Sequence, residues 1–428
     1  MRVAINRSSA ASSWFGGIYT YESMMLDALC EIGKTFTHEL VYLSYHPDDL
    51  RSLVYSGALQ YRNLPIVPLY GAPEPQQKPP EFYVNQGPAV PARPQSYDLK
   101  TVKFDSAGEA IFRKAGVDLM FLMSPFMHAF SLRLPFVMPI FDLNHKINPQ
   151  FPEVSANGES NARDYMYINA CRFATMIVVD SETGKSDVLR YYGDFIGEDR
   201  IRVVPMYSPI ARSPRPTSAD LARVRTKYKL PDRYFFYPAQ FWPHKNHELI
   251  LRAVRAIADE TGEVTPIIFT GSYADYHRAV HMKKLQALAA ELGIADRIHY
   301  LGVAAGEDMS SLFAMSVALV APTYFGPANI PPLEAWYNGR PVIMCDLPGI
   351  REQVGDGGLL VDPRTPSDLA GAMRKLWHDE AMCTALAKRG QERVESYNWE
   401  SYVDRVRDTL EDACESVRAG RTPVYPAA

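Results

Sequence analysis

Short apolar runs recur along the chain with amphipathic stretches between them, a pattern that predicts alternating strands and helices and therefore an α/β architecture with parallel sheets. In the first half the runs "RVAI", "LVYL", "LMFLM", "FVMPIF", "TMIVV" and "IRVVPM" read as strands. After Met206 the pattern gives way to "YSPIARSPRPTSADL", rich in Pro, Ser and Arg, which reads as an interdomain linker. A second series follows: "YFFYPA", "PIIFTG", "RIHYLG", "VALVAP", "PVIMC" and "GLLVDP" as strands, with helical spacing near 245–258, 277–293, 365–378 and 380–395. In "WESYVDRVRDTLEDACESVR", Tyr402, Val403, Val406, Leu410 and Cys414 fall on one side of a helix. The expected organisation is a first lobe over 1–206, a second over 207–395, a helix over 396–418 returning to the first lobe, and a tail over 419–428. Two α/β lobes in tandem put a ligand cleft between them, at the C-terminal ends of the strands. Residues 64–96 carry so many prolines that a long surface loop or a partly disordered excursion is expected there.

Length and composition agree with this division. A chain of 428 residues is too long for one ordinary core, so two domains of roughly 150–200 residues are expected. A net charge of −4 provides no global attraction to nucleic acid or anionic lipid, so any such contact must be a local patch. Cys30, Cys171, Cys345, Cys383 and Cys414 are scattered and lack C-x-x-C spacing, which suggests neither a disulfide framework nor a zinc site and fits a reducing cytoplasm. The start "MRVAINRSSA" has no apolar run behind its early basic residue, and no segment approaches the roughly 18 apolar residues of a membrane span.

Three stretches carry candidate chemistry. "SSWFGGIYTYESMMLDAL" places Gly16 and Gly17 ahead of a helix, either as a tight turn or as a close approach to an anion at the positive helix end. In "YPAQFWPHKNHELILRAV", helix onset near His244–Asn246 puts His244, Lys245 and His247 in a first turn, the wrong end for cations. A bound diphosphate would reverse that sign, whereas a lysine reaching into solvent leaves the placement unexplained. In "PTYFGPANIPPLEAWYNGRPVI", Asn329 reads as an N-cap, and Pro331 and Pro332 leave the amides of Asn329 and Ile330 as donors toward the cleft. Glu334, a turn further on, either complements the helix dipole or accepts from the vicinal hydroxyls of a ribose.

At these residues the chain resembles the retaining glycosyltransferases of family four, the group 1 glycosyltransferases, which have the GT-B fold of two Rossmann-like lobes, a deep interdomain cleft and a C-terminal helix. The resemblance is carried by "QFWPHKN", "FTGS", "YLGV", "PTYFGPANIPPLEAWYNGRPVI", "DLPGIREQVGDGGLLVDP" and "YNWESY" in order. It is looser in the first lobe, through "WFGGIYTY", "FDLNHKINPQFPE" and "IVVDSETGKSDVLRYYG". It implies that Lys245 binds phosphate and that Glu334, the second glutamate of an E-x7-E element, holds the donor ribose. It further implies that Asn329 and Ile330 meet the β-phosphate and sugar, that Gly17 faces the diphosphate from the other lobe, and that Gly271 and Gly302 belong to the donor side. The chain departs from the pattern in three places. Gly326 stands where the first glutamate falls, Gln240 replaces the arginine that commonly precedes the lysine, and Phe141-Asp142 replaces histidine-aspartate, with His145 three residues later.

The resemblance implies transfer with retention from a nucleotide diphosphate sugar, by same-face attack in which the departing phosphate oxygen takes the acceptor proton. No metal and no cofactor are expected. The charge building on the diphosphate is the quantity to stabilise, by Lys245, helix-end amides and Gln240. Lys245, Glu334 and His145 are the candidate catalytic residues, His145 as a group orienting sugar or acceptor. Asp180, Glu182 and Asp346 read as capping and loop residues. The implied acceptor is a glycan or lipid-linked saccharide in cell-surface polysaccharide synthesis, approached in the cytoplasm with peripheral membrane contact. The alternatives are an epimerase or phosphorylase on the same architecture, and an inactive nucleotide-sugar-binding scaffold, motivated by Gly326. A dinucleotide-dependent dehydrogenase is disfavoured because "RSSAASSWFGG" is not G-x-G-x-x-G.

Overall fold

The computed structural model describes residues 1–6, 17–44, 66–68, 96–274 and 276–425. The first lobe is built on β1 (Arg2–Asn6), β2 (Glu39–Ser44), β3 (Ile66–Pro68), β4 (Leu119–Leu122), β5 (Phe136–Pro139), β6 (Met176–Val179) and β7 (Ile201–Val203). They form a parallel sheet in the order β3-β2-β1-β4-β5-β6-β7. The second lobe holds β8 (Phe235–Pro238), β9 (Ile267–Thr270), β10 (Ile298–Tyr300), β11 (Leu319–Ala321), β12 (Val342–Cys345) and β13 (Gly358–Val361), parallel in the order β10-β9-β8-β11-β12-β13. Helices cover both faces of such sheets, so the central strands are apolar throughout instead of alternating. β4, β5, β6, β9 and β12 are buried at every position.

Successive side chains of β1 serve two cores. Val3 and Ile5 lie with Met25 and Leu29 on one face, and Ala4 lies with Met120 and Phe136 on the other. The first of these faces is closed by the helix Trp399–Arg418, whose Tyr402, Val403, Val406, Leu410 and Cys414 are all buried there. Trp399 Nε1 donates to Glu31 at 2.9 Å and the Arg407 guanidinium donates to Thr35 at 3.2 Å, so this helix follows the second lobe in sequence and belongs to the first in space.

Two stretches differ from the sequence reading. Ile66–Pro68, expected as loop, pairs with β2 at the sheet edge. Three residues are too few to show a period, and a proline at an edge breaks no inner ladder. The remainder of 64–95 lies outside the described residues. The end of the expected tail is anchored: Tyr425 stacks on Phe173 with ring centroids 4.7 Å apart, and its hydroxyl donates to the Leu134 carbonyl at 3.1 Å.

Candidate active site

Strand order reverses between β1 and β4 in the first lobe and between β8 and β11 in the second. At such a reversal adjacent loops leave in opposite directions and open a crevice. Gln240 and Lys245 lie on the loop after β8, and Gly326, Asn329 and Ile330 on the loop after β11, so the two loops flank one crevice. Across from them the loop after β1, with Gly16, lies outside the described residues. Gly17 opens the helix Gly17–Ile32, and a Cβ built on it would meet nothing within 4 Å, so packing does not demand a glycine there.

The loop after β8 is held differently from the expectation. Pro243–Lys245 forms a 3₁₀ turn, Asn246 adopts a left-handed conformation at φ 57°, and the α-helix begins only at His247. The reason is burial. The His247 ring lies in the core, 4.8 Å from both the Tyr237 and Phe241 rings, and burial holds it neutral with its pKa pushed well below the usual value. His247 therefore contributes no first-turn cation. Lys245 stays between core and cleft: burial pulls its ammonium down to about 8, against the opposing pull of the Asp142 carboxylate from the first lobe. The Gln240 side chain accepts from the Trp242 indole at 2.9 Å, so its carbonyl is already engaged.

The loop after β11 folds onto this turn. Tyr324 N donates to the His244 carbonyl at 2.8 Å. Gly326 has φ 131°, a region in which L side chains are strained, and a Cβ there would lie 2.6 Å from Asn329 Oδ1. The Asn329 side chain occupies that volume and donates to the Gly326 carbonyl at 2.9 Å, so it does not cap its own helix, Ile330–Tyr337. The Asn329 amide, expected as a donor into the cleft, is spoken for as well: it donates to Gln353 Oε1 at 3.0 Å, and Gln353 Nε2 returns a bond to the Asn329 carbonyl at 2.6 Å. Gly271 and Gly302 lie just beyond β9 and β10. A side chain on Gly271 would collide with the Ala239 carbonyl, Gly302 has φ 68°, and the Gly302 carbonyl accepts from Gly271 N at 2.8 Å. Backbone geometry alone accounts for both glycines.

Glu334 projects from the first turns of the helix Ile330–Tyr337 toward the interlobe linker and takes a hydrogen bond from Ser208. Burial pushes its carboxyl up to about 7, with the serine hydroxyl pulling the other way. Ser208 Oγ also accepts from Ile210 N at 3.3 Å, so its proton is the part left for Glu334. His145 does not reach the cleft. It is buried in the first lobe, with Nε2 2.9 Å from Tyr192 Oη and 3.3 Å from Asp164 Oδ1. The cluster is structural: burial would raise Asp164, but its bonds from His145, Lys146 and Tyr192 hold the carboxyl down at about 2.

Sequence reasoning missed the residues by which the lobes touch. Glu153 of the first lobe accepts from His244 N at 3.0 Å and from His244 Nδ1 at 2.7 Å. Glu352 of the second accepts from Glu182 N and Thr183 N at 2.9 Å each and from Thr183 Oγ1 at 2.7 Å. Both glutamates stand in quoted motifs, "FDLNHKINPQFPE" and "DLPGIREQVGDGGLLVDP", but a carboxylate that bonds across two lobes has no periodicity to mark it.

Two doubly wound lobes, facing switch points and a returning C-terminal helix define a GT-B-type fold. Its likeness to solved structures spans nearly the whole chain. The sucrose-phosphate synthase of Thermosynechococcus elongatus matches with a TM-score of 0.70 and 18% identity, over 97% of this chain and 99% of that one. Anabaena HepE, solved in complex with UDP-glucose, matches with a TM-score of 0.68 and 16% identity, over 96% and 99%. Residues 220–393, most of the second lobe, match the family described as glycosyl transferases group 1. Among curated proteins the chain is 28% identical over 263 residues to the D-inositol 3-phosphate glycosyltransferase of Salinispora tropica, covering 58% of this chain and 52% of that protein. It is 27% identical over 232 residues to the O-antigen chain mannosyltransferase B of Escherichia coli, covering 53% and 58%. The chain thus spans about half the length of the curated relatives it matches.

Proposed function

We propose that this protein is a retaining glycosyltransferase that moves a hexose-type sugar from a nucleotide diphosphate sugar to a glycan or lipid-linked saccharide acceptor, in the cytoplasmic stage of cell-surface polysaccharide synthesis. The observation that carries the reading is Lys245. It is a partly buried ammonium on the loop after β8, at the switch point of the second lobe, beside the loop after β11. A buried cation without a bonded counter-ion is costly, and a diphosphate removes that cost. The names of the relatives point the same way, since one is a mannosyltransferase of O-antigen chains and the solved HepE carries UDP-glucose.

In this reading the second lobe holds the donor and the first presents the acceptor. Lys245 stabilises the negative charge that builds as the anomeric carbon–oxygen bond breaks, and Glu334 accepts from the ribose hydroxyls. The acceptor attacks on the face the diphosphate leaves, and the departing phosphate oxygen takes its proton. Closure of the two lobes keeps water from the breaking bond. Lys245→Ala should weaken binding of the cognate nucleoside diphosphate by about ten-fold or more in calorimetry with the melting temperature preserved. Product NMR of the wild type should show the donor's anomeric configuration retained. Unchanged diphosphate affinity removes Lys245 from the site. A wild type that binds donor but neither hydrolyses nor transfers it leaves the scaffold reading in its place.

A further inference from the structure

A sugar offers hydroxyl protons, so a site that discriminates one sugar from another needs hydrogen-bond acceptors beside the phosphate anchor. The loop Thr323–Asn329 brings no carboxylate or imidazole, and its one amide side chain is turned onto the Gly326 carbonyl. The neighbouring acceptors come from the other side. Glu153 Oε1 takes both the amide and the ring Nδ1 of His244. Only 4% of the Glu153 side chain is exposed, and its second oxygen, Oε2, is buried with no partner outside its own residue among the described residues. Burial would raise the Glu153 carboxyl, but the bonds from His244 hold it below its ordinary value, so it stays ionised.

The consequence for His244 is a fixed tautomer. Burial keeps the ring neutral, the carboxylate at 2.7 Å takes its one proton at Nδ1, and Nε2 is left as an acceptor. Nε2 makes no hydrogen bond among the described residues, and the side chain keeps 15% of its surface exposed. His244 is adjacent in sequence to Lys245, and its carbonyl carries the loop after β11 through Tyr324 N and Thr323 Oγ1. Phe151 of the first lobe closes the same corner, 5.3 Å from the Tyr324 ring. An imidazole nitrogen without a proton donor among the described residues therefore stands next to the phosphate anchor, and the carboxylate that fixes its tautomer reaches it from the other lobe.

We propose that the Glu153–His244 pair recognises the sugar being transferred, His244 Nε2 accepting a hydroxyl proton and Glu153 acting through it as a positioning residue that fixes the imidazole in its accepting tautomer. The inference rests on the reading of this cleft as a nucleotide-sugar site and assigns the part of it that tells the sugar from the bare diphosphate. No bond is made or broken by the pair. Because Glu153 acts only through His244, their effects are coupled.

The test compares UDP with UDP-glucose and GDP with GDP-mannose by calorimetry, using the full chain and whichever nucleotide the wild type binds. His244→Ala and Glu153→Ala should each weaken the nucleotide sugar about ten-fold while the bare diphosphate changes less than about two-fold, and the double variant should lose no more than either single one. Glu153→Gln is isosteric and can still accept from Nδ1, so it should recover most of the affinity lost in Glu153→Ala. This rescue guards against a variant that fails to fold. Equal losses for sugar nucleotide and bare diphosphate overturn the proposal and leave the pair as a clasp between lobes. If the wild type binds neither diphosphate, the nucleotide-sugar reading itself falls, and this inference with it.

Discussion

A partly buried carboxyl gives the second lobe a pH dependence of its own. Glu334, at about 7 against an ordinary 4.5, is stabilising in its neutral form, and that contribution is lost as pH rises from about 4.5 through about 7. Glu334→Gln removes the loss. Its melting temperature relative to wild type should rise between pH 5 and pH 8 by about 3–6 °C, since some two pH units of ionisation at about 1.4 kcal/mol each, roughly halved because Glu334 is only partly buried, leave about 1.5 kcal/mol on a lobe of this size. The ionised carboxylate is also the better acceptor from a ribose diol. Wild-type affinity for a ribonucleoside diphosphate, relative to its 2′,3′-dideoxy counterpart, should therefore grow over the same pH window and stay flat in the variant. Identical pH slopes in wild type and variant would show that the carboxyl does not ionise there. The sequence marked Lys245 as a cation at the helix end that calls for an anion, and Glu334 as a carboxylate a turn into a helix where it can serve the dipole or a ribose diol. It gave no sign of Ser208 or Glu153, whose importance lies in what they touch, and it pointed to His145, a polar residue in a loop motif that the fold buries against Tyr192 and Asp164.

At the scale of elements the apolar runs were enough to mark nearly every strand, because fully buried parallel strands leave no polar break in them. The helix starts were less legible. His247 looks polar in sequence and begins its helix buried among aromatic rings, which moves Lys245 out of the helix and into the preceding turn. The loop after β11 shows how an apparent loss becomes a fitted part. Gly326 appears in sequence as a missing glutamate, but its φ of 131° and the Asn329 side chain 2.6 Å from a modest Cβ make glycine the residue this turn requires. Gly326→Ala should thus lower the melting temperature, by the equivalent of about 1–3 kcal/mol of backbone strain. Asn329→Ala in the same chain should recover part of it by vacating the volume. If Gly326→Ala melts with wild type, the turn does not need a glycine and the residue is there to make room for a ligand.

The whole molecule adds a mechanical link that no motif announces. Glu352 and Gln353 are consecutive residues of the helix Pro348–Val354, and they face different tasks. Gln353 grips the Asn329 backbone of the loop after β11 from both sides, while Glu352 crosses to the first lobe and covers the first amides of the helix Glu182–Tyr192. A carboxylate at a helix N-terminus gains from the dipole as well as from its hydrogen bonds, together about 1–2 kcal/mol at an exposed site. That is about five- to thirty-fold in the balance between closed and open lobes. The Arg393 guanidinium donates to the carbonyls of both Glu352 and Gln353, so neither end of the link can move without the other. Glu352→Ala should therefore shift free protein toward open lobes, visible as a larger radius of gyration in solution scattering. It should also weaken donor binding several-fold, because the donor must now supply the closure that Glu352 contributed, while the second lobe keeps its own fold. Raising the salt to about 1 M should reproduce part of the opening in wild type and add little in the variant, since the charge–dipole share is the screened one. An unchanged radius of gyration in Glu352→Ala would mean that the aromatic corner at Phe151 and Tyr324 and the Glu153–His244 bonds hold the lobes together unaided.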